Sequence, residues 1–81
     1  MEITIYGQPN CSGCTAAKTL LDVKGWKYTY HSLPSMEPNA ARLVVDESHM
    51  RSVPIVKIDN TYIGGLNALE GYIRGVEERK V

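Results

Sequence analysis

The residues best placed to do chemistry are Cys11 and Cys14, the only two cysteines in an 81-residue chain. They read Cys11-Ser12-Gly13-Cys14. A spacing of three on a helix puts both sulfurs on one side, a turn apart. Two thiols so placed can exchange with a disulfide: one attacks as a thiolate and the other displaces the product. The same pair could instead form a structural disulfide or half of a zinc site.

Three features bear on that chemistry. Cys11 falls just before or at the first turn of a helical run, where free N–H groups and the helix dipole favour an anion. Cysteines at helix starts or in CxxC pairs fall from about 8.5 to roughly 3.5–7.5 in pKa. Cys11 is therefore expected as the exposed nucleophile and Cys14 as the deeper, resolving thiol. Lys18 follows Cys14 by four residues and shares its helix face. Its ammonium would lower a thiolate pKa, or its stem would simply cover apolar surface; both readings stay open. His31 and His49 lie far from the cysteines and from each other, with no H-x₃₋₅-H spacing and no second CxxC, so a zinc site is not expected.

The elements that must position these residues follow from hydrophobic period. Ile3 and Ile5 alternate with polar neighbours, giving a strand over about 2–6 that Gly7 and Pro9 end. Ala16, Ala17, Leu20 and Leu21 recur at helical spacing over Thr15–Lys24, and Gly25 stops that helix. Trp26–Leu33 is aromatic and β-branched and reads as a second strand. Residues 34–39 read as a loop and Ala40–Glu47 as a short helix. Ile55–Ile58 is a buried strand; Asp59-Asn60 turns the chain into Thr61–Ile63. Leu66, Leu69, Tyr72, Ile73 and Val76 form the stripe of a last helix, and Glu77, Glu78, Arg79 and Lys80 a solvated end. The order β-α-β-α-β-β-α implies one α/β domain over 1–81. It has a four-stranded mixed sheet, three helices on its two faces, a parallel first pair and an antiparallel last pair.

Composition narrows the function. Nine basic and nine acidic residues give a formal net charge of +0, which offers nothing to nucleic acid or an anionic membrane surface. Trp26 and the five tyrosines fall on strand or helix core positions rather than on a basic platform, although Tyr6, ending the first strand, is expected to line the cleft. No apolar run approaches the roughly 20 residues of a membrane span. Met1-Glu2-Ile3-Thr4 lacks the features of a signal peptide. A cytoplasmic, monomeric protein is expected, and in a reducing cytosol a lone cysteine pair is catalytic or metal-binding more often than structural.

The chain resembles the glutaredoxins, of the thioredoxin-fold superfamily, in their compact microbial or phage form. Four marks in order carry the resemblance: Cys11-Ser12-Gly13-Cys14, Lys18, Ser52-Val53-Pro54 and Gly64-Gly65. The resemblance implies a thioredoxin-like fold and dithiol disulfide reductase activity. It implies a cis-Pro54 that presents the Val53 backbone to substrate, and glutathione as co-substrate. It implies glutathione contacts at Gly64, Gly65 and the following Leu66, Asn67 and Ala68, and a client such as ribonucleotide reductase.

The chain departs from the family at four places. Ser12 and Gly13 replace a proline and an aromatic, so a more open site is expected, with the Ser12 hydroxyl available to the thiolate. Gln8 stands where many members carry a cation, and Asn67 where an acid is common. Losing a charge-assisted hydrogen bond costs about 1.5–3 kcal/mol, so weakened glutathione binding is expected. Two alternatives follow from the resemblance: recycling by thioredoxin reductase, or a dimer bridging a [2Fe–2S] cluster, as some members with that serine do.

Overall fold

The computed structural model describes residues 1–78. Strand β1 (Ile3–Gly7) is followed by helix α1 (Ser12–Lys24), strand β2 (Thr29–Ser32), a 3₁₀ turn (Leu33–Ser35) and helix α2 (Pro38–Ser48). Strands β3 (Ile55–Ile58) and β4 (Thr61–Gly64) and helix α3 (Leu66–Glu78) complete the chain. The order is the expected β-α-β-α-β-β-α; Arg79 and Lys80 of the charged end lie outside the described residues.

The sheet runs β2-β1-β3-β4. β1 pairs with β2 in parallel, Ile5 opposite Tyr30, and with β3 antiparallel, Ile5 opposite Val56. β3 and β4 form an antiparallel hairpin. Its two central residues, Asp59 and Asn60, both have positive φ, 47° and 69°. Two-residue hairpin turns with that backbone match the twist of the strands, and Asp and Asn tolerate it. The Asp59 carboxylate also accepts from the Glu2 N–H at 2.7 Å, which ties the turn to the start of β1.

Alternation along β1 decides what each face buries. Ile3 and Ile5 face a core made by Ala17 and Leu21 of α1, Val56 and Ile58 of β3, and Leu69 and Ile73 of α3. The helix pairs 17/21 and 69/73 are each four apart, so each helix buries one stripe. Leu21 and Leu69 are fully buried; truncating such a leucine to alanine costs about 2–5 kcal/mol. α2 covers the other face, with Val44 and Ile55 buried away from this cluster.

Element ends differ from the sequence expectation where capping intervenes. α1 starts at Ser12 rather than Thr15 because Cys11 caps it. α2 starts at Pro38 rather than Ala40: the Glu37 side chain accepts from the Ala40 N–H at 3.1 Å, and proline suits a first helical position. The second strand is shorter than its aromatic run. Gly25 is left-handed at φ 74°, and the N–H groups of Gly25 and Trp26 donate to the Asp22 and Leu21 carbonyls. This double bond is a Schellman stop. It delivers Trp26 onto the core, edge-on to Tyr72 at 6.4 Å, instead of into the sheet.

Candidate active site

The cysteines sit where β1 hands the chain to α1. Gly7 ends the strand, and Asn10 turns the backbone at φ 58°. Cys11 then takes the extended N-cap conformation, φ −114° and ψ 108°. Its sulfur stands in for the usual capping oxygen and accepts from the Cys14 N–H at 3.1 Å. Its carbonyl accepts from the Thr15 N–H at 3.1 Å and the Thr15 hydroxyl at 3.2 Å. The first turn of α1 carries no acidic residue. The Cys11 sulfur thus lies at the positive end of a thirteen-residue helix with no opposing charge.

Cys11 and Cys14 are joined as a disulfide, with Cα atoms 5.3 Å apart. The two sulfurs are not equivalent. Cys11 is half-buried, whereas Cys14 is 2% exposed. An outside group can reach the first far more readily than the second.

The Val53–Pro54 peptide is cis. Pro54 is buried and Val53 half-buried. A Cβ on Gly13 would stand 3.1 Å from Pro54 Cδ, so the proline ring packs against the bare backbone between the cysteines. Gly13 also borders a cavity beside the disulfide. Gly65 meets Pro54 from the other side, a Cβ there being 3.4 Å from the Pro54 carbonyl oxygen. Gly64 adopts φ 131°, a backbone closed to most side chains.

Two polar cavities flank the disulfide, and Cys11 lines both. One, about 520 Å³, runs past Gln8, Ser12, Leu33, Arg51 and Val53. The other, about 480 Å³, is bounded by Gln8, Asn10, Cys14, Lys18 and Tyr30. Ser12 and Gln8 are exposed at the rim of both. Lys18 holds its ammonium 4.1 Å from the centre of the Tyr30 ring. It is therefore a half-buried lysine with a specific partner rather than a freely solvated one. A further cavity, about 680 Å³, lies between α1 and α3 and meets the site at Ser12 and Thr15.

Not every residue picked from the sequence converges here. Gly65 packs against Pro54 and Gly64 against Ala68 of α3, and Asn67 is exposed in the first turn of α3, with all three outside both flanking cavities. Tyr6 does not line the cleft. Strand alternation turns it to the face opposite Gly7, where it stacks on His31 at 5.6 Å and tilts toward Tyr62 at 6.5 Å. Burial raises its pKa, helped by the Glu47 charge. His49 closes α2 in a left-handed conformation, far along the chain from His31's stack.

Four site residues were not anticipated: Gly7, Asn10, Tyr30 and Arg51. Gly7 reads in sequence as a strand breaker, yet a Cβ there would stand 2.8 Å from both the Cys14 sulfur and the Tyr30 hydroxyl oxygen. Tyr30 reads as core, and only the parallel pairing of β2 with β1 brings it to the cysteines. Arg51 precedes the Ser-Val-Pro run, and that proximity was the signal available.

A mixed sheet of this order, with a CxxC pair at a helix start and a cis-proline packed on it, is the thioredoxin-like fold with its thiol–disulfide site. The comparisons narrow the class. A family model described as Glutaredoxin matches residues 3–63. A glutaredoxin of Neisseria meningitidis is 34% identical over 67 residues, covering 83% of this chain and 79% of its own. Among solved structures, a buckwheat glutaredoxin–glutathione complex superposes with a TM-score of 0.79 at 24% identity, covering 90% of this chain and 68% of that one. Glutaredoxin 1 of Francisella tularensis, complexed with cacodylate, gives 0.76 at 17% identity, covering 95% and 96%. The chain belongs to the glutaredoxin family and carries that family's thiol–disulfide oxidoreductase pair at Cys11 and Cys14.

Proposed function

We propose that this chain, as one domain over 1–81, reduces protein disulfides and glutathione mixed disulfides by a dithiol mechanism, with glutathione as reductant. The observation that carries the reading is the exposure difference across one disulfide, 2% at Cys14 against a half-buried, helix-capping Cys11. In the reduced protein the Cys11 thiolate attacks a substrate disulfide. One substrate sulfur leaves with the electron pair, and Cys11 is joined to the other. Cys14 then attacks Cys11, the Cys11–Cys14 bond forms, and the second substrate sulfur leaves reduced. Two electrons pass from the cysteine pair to the substrate. The Val53 backbone beside the cis-proline offers a substrate strand its N–H and C=O. Gly64 and Gly65 keep the backbone behind Pro54 open to a close approach.

Glutathione enters this reading because a related protein of the same fold is described as a complex with it. Ribonucleotide reductase, a reducing cytoplasm and a monomeric state complete the reading; neutral charge and the lone cysteine pair support the last two. A second reading has its own observation: Gln8 and Asn67 are exposed and uncharged, which weakens both ends of a glutathione site and favours recycling by thioredoxin reductase.

A coupled assay with both recycling systems in parallel decides between them. Turnover with glutathione and glutathione reductase is expected. Turnover with thioredoxin reductase alone overturns the glutathione assignment. Visible absorption after anaerobic iron–sulfur reconstitution of a dimer would favour the [2Fe–2S] carrier instead.

A further inference from the structure

Cys14 poses a problem that its buried position creates. A thiol must ionise before it attacks, and burial disfavours the anion. Cys14 is 2% exposed. Something beside it must favour the thiolate when the mixed disulfide is resolved.

The cavity that Cys14 lines is bounded by Cys11, by Lys18 of α1, by Tyr30 of β2 and by the uncharged Gln8, Pro9, Asn10, Ser12 and Thr15, and the bare backbone of Gly7 borders the sulfur from β1. Lys18 is the one charged residue lining that cavity, which has no carboxylate. The Cys14 sulfur and the Tyr30 hydroxyl oxygen lie at the same 2.8 Å from the point a Gly7 Cβ would occupy, so they are neighbours across that gap. The Lys18 ammonium sits 4.1 Å over the ring of the same tyrosine. One side chain therefore sets its hydroxyl at the gap that the sulfur borders and holds the cation with its face.

We propose that Tyr30 is a positioning residue for resolution: its hydroxyl donates to the Cys14 thiolate across Gly7, and its ring holds the Lys18 ammonium in the same cavity. In the disulfide the Cys14 sulfur is neutral, and the hydroxyl has no protein acceptor among the described residues. Opening the bond frees the sulfur to move into van der Waals separation from Cys11 and gives the hydroxyl a charged acceptor. In resolution the Cys14 thiolate attacks the Cys11 sulfur of the mixed disulfide. The Cys11–Cys14 bond forms, and the bond to the substrate sulfur breaks. That sulfur leaves with the electron pair and takes up, through water, the proton Cys14 lost. Tyr30 and Lys18 are unchanged. The proposal rests on the dithiol reading above but not on which reductant serves it.

The test uses a Cys11→Ser background, in which Cys14 is the one thiol, and follows thiolate ultraviolet absorbance against pH. Tyr30→Phe keeps the ring under Lys18 and removes the hydroxyl. It is expected to raise the Cys14 pKa by about one unit, a tenfold loss of thiolate near neutral pH, with little change in thermal midpoint. Lys18→Gln, which removes the cation from the same cavity, is expected to raise it as well. A Cys14 pKa unchanged by Tyr30→Phe overturns the proposal. If that variant does not fold, an unchanged value in Lys18→Gln overturns it instead. The titration contains neither glutathione nor client, so its failure leaves the reductase reading standing, and failure of the coupled assay leaves this one.

Discussion

Gly7 and Cys14 meet through an absent side chain: a Cβ on Gly7 would stand 2.8 Å from the Cys14 sulfur. Real Cβ contacts essentially never come so close, and the third party, the Tyr30 hydroxyl, crowds the same point. The glycine is required by space. Gly7→Ala must push apart the sulfur, the tyrosine or β1 itself. Overpacking a close-packed site costs about 1–3 kcal/mol. Urea denaturation of the oxidised protein is expected to show a loss in that range. A midpoint equal to the parent's would mean that the contact relaxes without cost.

The unequal exposure of the two sulfurs predicts unequal variants. Cys11→Ser is expected to abolish disulfide reductase activity, since the remaining sulfur is buried. Cys14→Ser is expected to keep the first attack and lose only resolution, so a mixed disulfide accumulates. Mass spectrometry after exposure to oxidised glutathione distinguishes them: a stable adduct on Cys14→Ser, none on Cys11→Ser. The reverse pattern would exchange the two roles.

The two cavities that share Cys11 also share Gln8 at their rim. Gln8→Lys places a cation where an incoming carboxylate would pass. Gln8 is exposed, so the gain is that of a surface ion pair, about 0.2–1 kcal/mol. KM for a glutathione mixed disulfide is expected to fall about 1.4-fold to fivefold at low salt, with kcat little changed. The gain should shrink as salt rises, because exposed charges are screened. An improvement that persists at high salt would point to packing rather than charge.

Much of this was legible in the sequence because period and punctuation agreed. Ile3 and Ile5, Ala17 and Leu21, and Leu69 and Ile73 announce their faces, and Gly25 and Asp59-Asn60 mark stops that the backbone adopts at positive φ. Pro54 was readable from its place before a buried strand. What escaped depends on contacts distant in sequence. Tyr30 comes beside Gly7 and the Cys14 gap only through the β1–β2 register, and Gly13 meets Pro54 only because the chain returns ahead of β3. Tyr6 was misplaced by one step of strand alternation: its neighbour Gly7, not Tyr6, faces the sulfur.

The face away from the cysteines sets an alkaline limit. Tyr62 donates to the Glu47 carboxylate at 3.4 Å and lies near Tyr6. Its pKa is raised, first by burial, then by the Tyr6 and Glu47 charges and that hydrogen bond. Tyr6 is raised by burial and by Glu47. The folded protein therefore holds these protons to higher pH than the unfolded chain, whose tyrosines ionise near 10.0. Between the two values the unfolded state binds fewer protons, so stability falls as pH rises. The contribution is complete below pH 10.0 and disappears as pH climbs through the folded values. Glu47→Gln removes the charge from both tyrosines and leaves burial in place. In that variant the late part of the phenolate absorbance titration is expected to move to lower pH, and the alkaline loss of thermal midpoint to become shallower. An unmoved titration would show that burial alone holds the two protons and that Glu47 contributes nothing to this face.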